Sequence, residues 1–413
     1  MIGQGQVFRL ARSIAAGALG AGMLAGALGA LGGLGGLGVA GAAGHGLPPP
    51  DPLDSSWATA QGSWAIVPMG RLHQTANTFW QVLFRGAAAG RWSLVTPPGV
   101  ATNGGLVGDG GPAGTVTVGV EPSRYLRYSP VSRTGDGGAS WSPGVLPSGL
   151  LDVPDAVATT ASGAVLALVR TGGGSLVRSG ATLTAWSVET TRRALASGAP
   201  GRECRVTDLR AVAGVGGATL LGATCTAPGV VGIFTSAGGS AGAGTGASAG
   251  GTWRLGGPSL GGVAAGASVS VLRLVGGPSG AAALVEATRG AASWLLALWR
   301  GPSSATWRVS APERLRGRVV ATGFGLSQSV VVVTGRGRGH GAGQAVTIAG
   351  PGAPWTVLPV PPPATAAVVD GPGGFDALAV SGSRFADWHL DAASGRWRLA
   401  ERARVPVEYG SST

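Results

Sequence analysis

The groups that could do chemistry in this 413-residue chain are few and widely separated. His45, His73, His340 and His389 are the only histidines, and no two of them stand at the short spacing with which a helix or hairpin presents metal ligands. The turn Asp109-Gly110-Gly111-Pro112 lacks the alternating carboxylates of a calcium loop. Gly335-Arg-Gly-Arg-Gly-His-Gly341 has the glycines and cations of a phosphate cradle. A cradle needs a helix N-terminus behind it, and the residues that follow read as a strand, so this is an inter-strand loop. Glu121, Asp152, Asp155, Glu189, Asp208, Glu286 and Asp370 are spread along the chain, and no two are brought together as an acid/base pair by sequence alone. No metal site and no cofactor are therefore expected, and the catalytic residues, if any, are unknown from the sequence.

The elements that would position such groups show themselves through tryptophan. Trp92-Ser-Leu, Trp141-Ser-Pro, Trp186-Ser-Val, Trp253-Arg-Leu, Trp307-Arg-Val, Trp355-Thr-Val and Trp397-Arg-Leu recur at intervals of 49, 45, 67, 54, 48 and 42 residues. All but Trp141 are followed two residues later by an aliphatic side chain. Such intervals fit one four-stranded sheet per repeat. The 67-residue interval contains residues 236–251, a Gly/Ala/Ser run expected to be an inserted loop. Three short strand-like runs precede most of these tryptophans, separated by glycines where turns are needed. Residues 57–60, 64–69 and 78–85 do so for Trp92, and residues 366–370, 375–380 and 385–390 for Trp397. Residues 404–409 are expected to add one further strand, available to close a ring of sheets on the N-terminal one. No amphipathic period of 3.6 residues extends usefully beyond residue 50, so the fold class is all-β.

One repeat carries more than a tryptophan. In Thr134-Gly-Asp-Gly-Gly-Ala-Ser-Trp141, Gly137 and Gly138 permit backbone angles that other residues resist, and Asp136 can accept hydrogen bonds from turn amides. Thr134, Asp136, Gly138, Ser140 and Trp141 meet the pattern Ser/Thr-x-Asp-x-Gly-x-Ser/Thr-Trp, and here the chain resembles the Asp-box (BNR) repeat. That resemblance implies a β-propeller, with the box forming the hairpin between the third and fourth strands of a blade, and with seven blades if each tryptophan marks one. It implies one enzyme class, the exo-sialidases and related glycosidases, and equally a class of non-catalytic binding and assembly propellers of the photosystem-assembly type. Sialidases use a tyrosine nucleophile with a carboxylate partner, and three arginines, the first in an Arg-Ile-Pro motif. That motif is absent. Tyr125, Tyr128 and Tyr409 are the only tyrosines, and the first two alternate with Arg124 and Arg127 in one strand, where blade packing accounts for them. The expectation is a non-catalytic scaffold that binds a protein or glycan ligand at the cell envelope, with a sialidase-like glycosidase as the alternative.

Arg9 and Arg12 precede residues 14–44, which carry no charge and include twelve glycines. A basic start followed by an apolar stretch is an export signal. Residues 1–45 are accordingly a signal peptide, cut after a site such as Ala25-Gly26-Ala27, or a membrane anchor if left uncut. Residues 46–54, with Pro48, Pro49 and Pro50, form a stiff spacer, and residues 55–413 the propeller. In an exported chain the only two cysteines, Cys204 and Cys225, are expected to form a disulfide. All thirty basic residues are arginine and the net charge is +12. Such a surface favours polyanions, yet the arginines are scattered and no nucleic-acid module is present, so nucleic acid is not the expected partner.

Overall fold

The computed structural model describes residues 56–71, 78–88, 90–98, 105–120, 129–146, 154–169, 174–180, 182–237, 252–335, 342–371, 374–391 and 393–405. All of these belong to Gly46–Thr413, one of two units into which the chain divides, the other being Met1–His45. The expected export segment over residues 1–45, the proline spacer, Tyr125, Tyr128, Tyr409 and most of both glycine-rich loops lie outside the described residues. Among the described residues no helix is long and apolar enough to cross a membrane.

The glycine punctuation of the sequence becomes a series of four-stranded antiparallel meanders. The first comprises Ser56–Thr59, Gly62–Gly70, Thr78–Gly86 and Ser93–Leu94; the second Leu106–Gly110, Val116–Val120, Ser129–Thr134 and Ser142–Leu146; the third Pro154–Thr159, Val165–Val169, Ser175–Ser179 and Trp186–Thr191. The fourth, Val206–Val215, Ala218–Cys225, Gly232–Ala237 and Trp253–Leu255, is joined to the fifth, Ser268–Gly277, Gly280–Arg289, Ala292–Arg300 and Arg308–Val309, with Glu313–Arg314 also on the Ala292–Arg300 strand. The joint is two pairings long, Thr224 with Ser270 and Cys225 with Val269, and makes one nine-stranded sheet of the two meanders. Arg318–Phe324, Val330–Gly335, Ala342–Ile348 and Thr356–Leu358 form the sixth, and Thr365–Gly371, Gly374–Ser381, Arg384–Asp391 and Arg396–Arg404 the seventh.

Burial explains the composition of these strands. Val165–Val169 and Val330–Gly335 are buried along their whole length, whereas Arg396–Arg404 is mostly exposed. The second strands are apolar on both faces because a neighbouring meander packs against each. Seven core clusters result, each shared between two successive meanders. One unites Trp64, Ile66 and Val82 of the first with Val116 and Val118 of the second. Another unites Ala65, Val67 and Leu83 of the first with Leu378, Val380 and Phe385 of the seventh. The first and last meanders are thus packed together by side chains, and also bridged where the Gly70 N–H donates to the Gly382 carbonyl at 2.8 Å. That contact involves the second strand of the first meander and the hairpin of the seventh. The tail strand expected over residues 404–409 takes no part in it among the described residues: Arg404 ends the seventh meander's outer strand, and residues 406–409 lie outside them.

Every repeat tryptophan sits at the start of the fourth, outermost strand of its meander and in the cluster that its meander shares with the preceding one. The indole N–H of Trp141 donates to the carbonyl of Val95 (3.0 Å), that of Trp186 to Val145 (3.0 Å), that of Trp355 to Ala311 (2.8 Å) and that of Trp397 to Pro359 (3.1 Å). Each acceptor lies three or four residues past the preceding repeat's tryptophan, so one meander's tryptophan ties down the end of the one before it. A buried indole needs such a partner. Trp253 and Trp307 lack one among the described residues, and these are the links on either side of Trp253–Leu255.

Two short helices, Arg192–Ser197 and Ala199–Cys204, interrupt the all-β reading. Six residues are too few to show a 3.6-residue period. Their local signals are Thr191, whose hydroxyl oxygen accepts from the Ala194 N–H at 3.0 Å, and Pro200 in the first turn. The second helix ends at Cys204, which is bonded to Cys225 with 5.0 Å between their α-carbons. Both cysteines are fully buried, so the bridge fixes the helical insertion to the second strand of the fourth meander.

Candidate functional site

The octet from Thr134 to Trp141 is a closed hydrogen-bonded turn. The Thr134 hydroxyl donates to Asp136 Oδ1 (2.7 Å) and accepts from the Gly138 N–H (3.0 Å), while Ser140 gives Asp136 both its N–H (2.9 Å) and its hydroxyl. These donors, the Ser140 hydroxyl foremost, hold the Asp136 carboxyl down at about 2. Gly137 and Gly138 have φ of +72° and +86°. A Cβ on Gly138 would stand 2.5 Å from the Cβ of Val95, so the turn lies directly on the first meander, with Trp141 packed into the cluster beneath it. Changing Gly138 to alanine should therefore cost about 1–3 kcal/mol through left-handed strain and overpacking. Urea unfolding measures this, and a wild-type midpoint would show that the turn does not bear on the first meander. The Thr134, Asp136 and Ser140 side chains bond within the octet, while its Gly135 carbonyl accepts from Gln61 Nε2 (3.0 Å) and its Trp141 indole N–H donates to the Val95 carbonyl, so the turn supports the hairpin and fastens it to the first meander.

A second constellation, at the junction of the first and seventh meanders, does face a cavity. Arg85, at the end of the strand Thr78–Gly86, reaches across the junction to two acids. Its Nη1 donates to Asp387 Oδ2 at 3.1 Å, and its Nη2 is in close contact with Asp376 Oδ2. Its guanidinium stacks 4.7 Å from the centre of the Trp92 ring, whose own N–H donates to Asp387 Oδ2 at 2.9 Å. The Trp92 backbone N–H donates to Glu401 Oε2 at 3.0 Å, and His389 Nδ1 lies 2.8 Å from Asp376 Oδ1. Strand register puts these groups together: Asp376 pairs with His389, and Asp387 with Glu401. All four therefore point from one face of the seventh meander toward the first.

The electrostatics of this cluster are uneven. Asp376 and Asp387 are 2 % and 1 % exposed, and a buried carboxylate must be paired or protonated. Two donors converge on Asp387 Oδ2, while its buried Oδ1 has no partner among the described residues. Burial, reinforced by the Asp376 and Glu401 charges, raises the Asp387 carboxyl to about 6 against the pull of Trp92 and Arg85. Asp370 is also raised, chiefly by burial and then by the Asp376 charge. The hydroxyl of Ser329 donates to it. A Cβ on Gly325 would stand 2.0 Å from Asp370 Oδ2, so only glycine admits the carboxyl at that point.

The cavity beside the cluster has a volume of about 590 Å³. Arg85, Asp376 and His389 line one side, Asp370 with Leu326 and Ser327 another, and Ala58, Thr59, Ala60, Gly62, Ser63, Gly86, Ala87 and Gly90 the remaining wall. The size suits a small polar molecule. Arg85 and Asp376 are committed to one another, so among the described lining residues His389 and Asp370 are the other titratable groups at the cavity, beside the hydroxyls of Thr59, Ser63 and Ser327. Among the described residues no three His, Cys, Asp or Glu side chains are placed to hold a metal ion.

Of the sequence-derived candidates, Thr134, Asp136, Gly138, Ser140 and Trp141 come together in the turn, and Cys204 and Cys225 in the disulfide. Asp370 lines the cavity. Arg85, Asp376, Asp387 and Glu401 do not stand out in the sequence, and His389 is isolated in it from the other histidines. The signal that could have found the cluster is an acid at the core-facing parity of two consecutive apolar strands, Asp376 in Phe-Asp-Ala-Leu and Asp387 in Phe-Ala-Asp-Trp-His.

No family model matches the chain, and no curated protein matches it. Solved structures do. A provisionally assigned 6-phosphogluconolactonase from Bacteroides uniformis matches with a TM-score of 0.50 at 11% identity, covering 85% of this chain and 98% of that one. A second protein so assigned, from Bacteroides fragilis, gives 0.50 at 13% identity over 85% and 97%. TolB from Acinetobacter baumannii gives 0.43 at 12% identity over 70% of this chain, which spans 61% of that protein's length. The neighbours are β-propeller-like. At such identities the likeness concerns the fold alone, and the fold of this chain is nearly all β, built of four-stranded sheets and propeller-like.

Proposed function

We propose that this chain is an exported, seven-bladed β-propeller of the Asp-box kind that acts as a non-catalytic binding or assembly scaffold at the cell envelope, with its ligand in the cavity between the first and last blades. Seven tryptophans at like positions and seven clusters between successive meanders support the blade count. The turn around Asp136 supports the kinship, and the buried disulfide suits an oxidising compartment. The observation that carries the binding reading is the mutual engagement of Arg85, Asp376 and Asp387. A general acid or base has to exchange its proton with a substrate, and these groups are spent on holding two blades together. A propeller offers loops and seams on a rigid frame, where binding is the less demanding use.

One observation favours the glycosidase alternative: Asp370 presents a raised carboxyl to the cavity, as the acid of a carboxylate pair would. One experiment separates the two. Gly90 lines the cavity and has open space around its missing Cβ, so Gly90→Trp fills the cavity without forcing the backbone. The full-length protein is probed on immobilised glycan and peptide panels and with a set of fluorogenic glycosides. The scaffold reading expects a bound glycan or peptide that Gly90→Trp releases, and no turnover. Turnover that disappears in Asp370→Asn would replace it with the glycosidase.

A further inference from the structure

The outer strand of the seventh meander, Arg396–Arg404, has a register shift opposite Asp387 and Trp388. Pairing across the shift puts Trp397, Leu399, Arg402 and Arg404 on one face with Leu390, Trp388, Ala386 and Arg384. Arg384 stands directly opposite Arg404, and Arg402 is two residues along the same strand. All three arginines are exposed, and none pairs with an acid among the described residues. Like charges directly opposite on neighbouring strands repel. Blunting a sheet edge against aggregation calls for a charge, not for two of one sign facing each other.

Aliphatic side chains lie exposed beside them. Leu399 is 40% exposed on the same face, and Val360 is 61% exposed. The bond from the Trp397 indole to the Pro359 carbonyl brings the residue before Val360 to this strand. Three unneutralised guanidiniums with bare aliphatics among them fit one kind of surface, in which phosphate oxygens take bidentate bonds from arginine and an apolar layer beneath takes the aliphatics. A soluble polyanion would satisfy the arginines and leave Leu399 and Val360 in water.

We propose that this corner of the last meander, Arg384, Arg402 and Arg404 around Leu399 and Val360, docks the protein onto an anionic phospholipid bilayer. Leu399, Arg402, Arg404 and Arg384 lie on the face of the sheet opposite His389, and Arg384 is about 17 Å from it along the strand. The docking corner and the cavity are therefore separate, and either can fail without the other. The contact orients a protein held near a membrane, whatever the cavity binds.

The test uses the full-length chain with Val360→Cys, whose new thiol is the only reactive one because Cys204 and Cys225 are bonded together. It is labelled with a solvatochromic dye and titrated with phosphatidylcholine vesicles with or without phosphatidylglycerol. The dye emission is expected to shift to the blue on vesicles containing phosphatidylglycerol only, and to revert in high salt as screening removes the attraction. Arg402→Gln with Arg404→Gln, checked for an unchanged thermal midpoint, should weaken the response about fivefold for each arginine neutralised. Three results overturn the proposal: a dye that stays in water while the protein co-sediments with the anionic vesicles, an unchanged affinity in the double variant, or a preference for soluble heparin over vesicles. The last would reassign the corner to soluble polyanions.

Discussion

Arg85→Ala is expected to lower the stability of the fold by about 3–5 kcal/mol, the usual consequence of leaving buried carboxylates without their cation. The side chain is 14% exposed and bridges two acids that are 3% and 2% exposed, so solvent cannot replace it without opening the junction of the first and last meanders. Trp92 would lose the guanidinium stacked on its ring and keep its bond to Asp387. Arg85→Lys should fall between the wild type and alanine, because an ammonium keeps the charge but cannot span both carboxylates with a planar fork. The loss in Arg85→Ala should also be smaller at pH 5 than at pH 8, since Asp387 can take up a proton at the lower pH and shed the charge that needs a partner. Urea unfolding at the two pH values measures both variants against the wild type. A value for Arg85→Ala within 1 kcal/mol of the wild type would mean that the junction is held by the apolar cluster around Ala65, Leu378 and Phe385 alone.

The parts of this molecule that were legible in the sequence are the local and repeated ones. A tryptophan at the start of each outer strand is large, recurs at blade-like intervals and is fixed by contacts within its own and the preceding repeat, so spacing alone locates it. The turn from Thr134 to Trp141 is legible for a similar reason: its hydrogen bonds join residues two to four positions apart. The junction cluster has no such signature. Arg85 meets Asp376 and Asp387 across 291 and 302 residues, a contact created only by the packing of the last meander on the first. His389 looks solitary in the sequence because its partner Asp376 lies across a hairpin, and pairing register is invisible until the turn is placed. The helices at Arg192–Ser197 and Ala199–Cys204 escape for want of length. Within the fourth meander, the two cysteines could be paired from their number and the expected compartment, while the helical insertion that the bridge secures could not.

The stability should fall as the pH rises from about 4 to about 7, and Asp387 should be a main source of the change. Burial, with Asp376 and Glu401 facing it, raises this carboxyl from 3.8 to about 6 in the folded protein. Between those values the folded state holds a proton that the unfolded chain has released, so folding is favoured by acid. This contribution is full below the unfolded value and is lost as the pH rises through about 6. A carboxyl raised that far, net of the pull of Trp92 and Arg85, is worth about 3 kcal/mol. Asp370 is raised for the same chief reason and acts in the same direction. Asp136 and Asp391 are lowered by hydrogen bonds and act in the opposite direction, losing their contribution as the pH drops through their folded values, below the window used. Asp387→Asn removes the titrating group and keeps an oxygen able to accept from Trp92 and Arg85. The difference in unfolding free energy between wild type and Asp387→Asn, measured in urea at pH 4.5, 5.5, 6.5 and 7.5, isolates Asp387 from Asp370. The wild type is expected to lose about 2 kcal/mol relative to the variant across this series, the rest of the contribution lying below pH 4.5. Parallel profiles would show that Asp387 is ionised throughout, held by Arg85 as an ordinary ion pair, and that its bare Oδ1 reaches water.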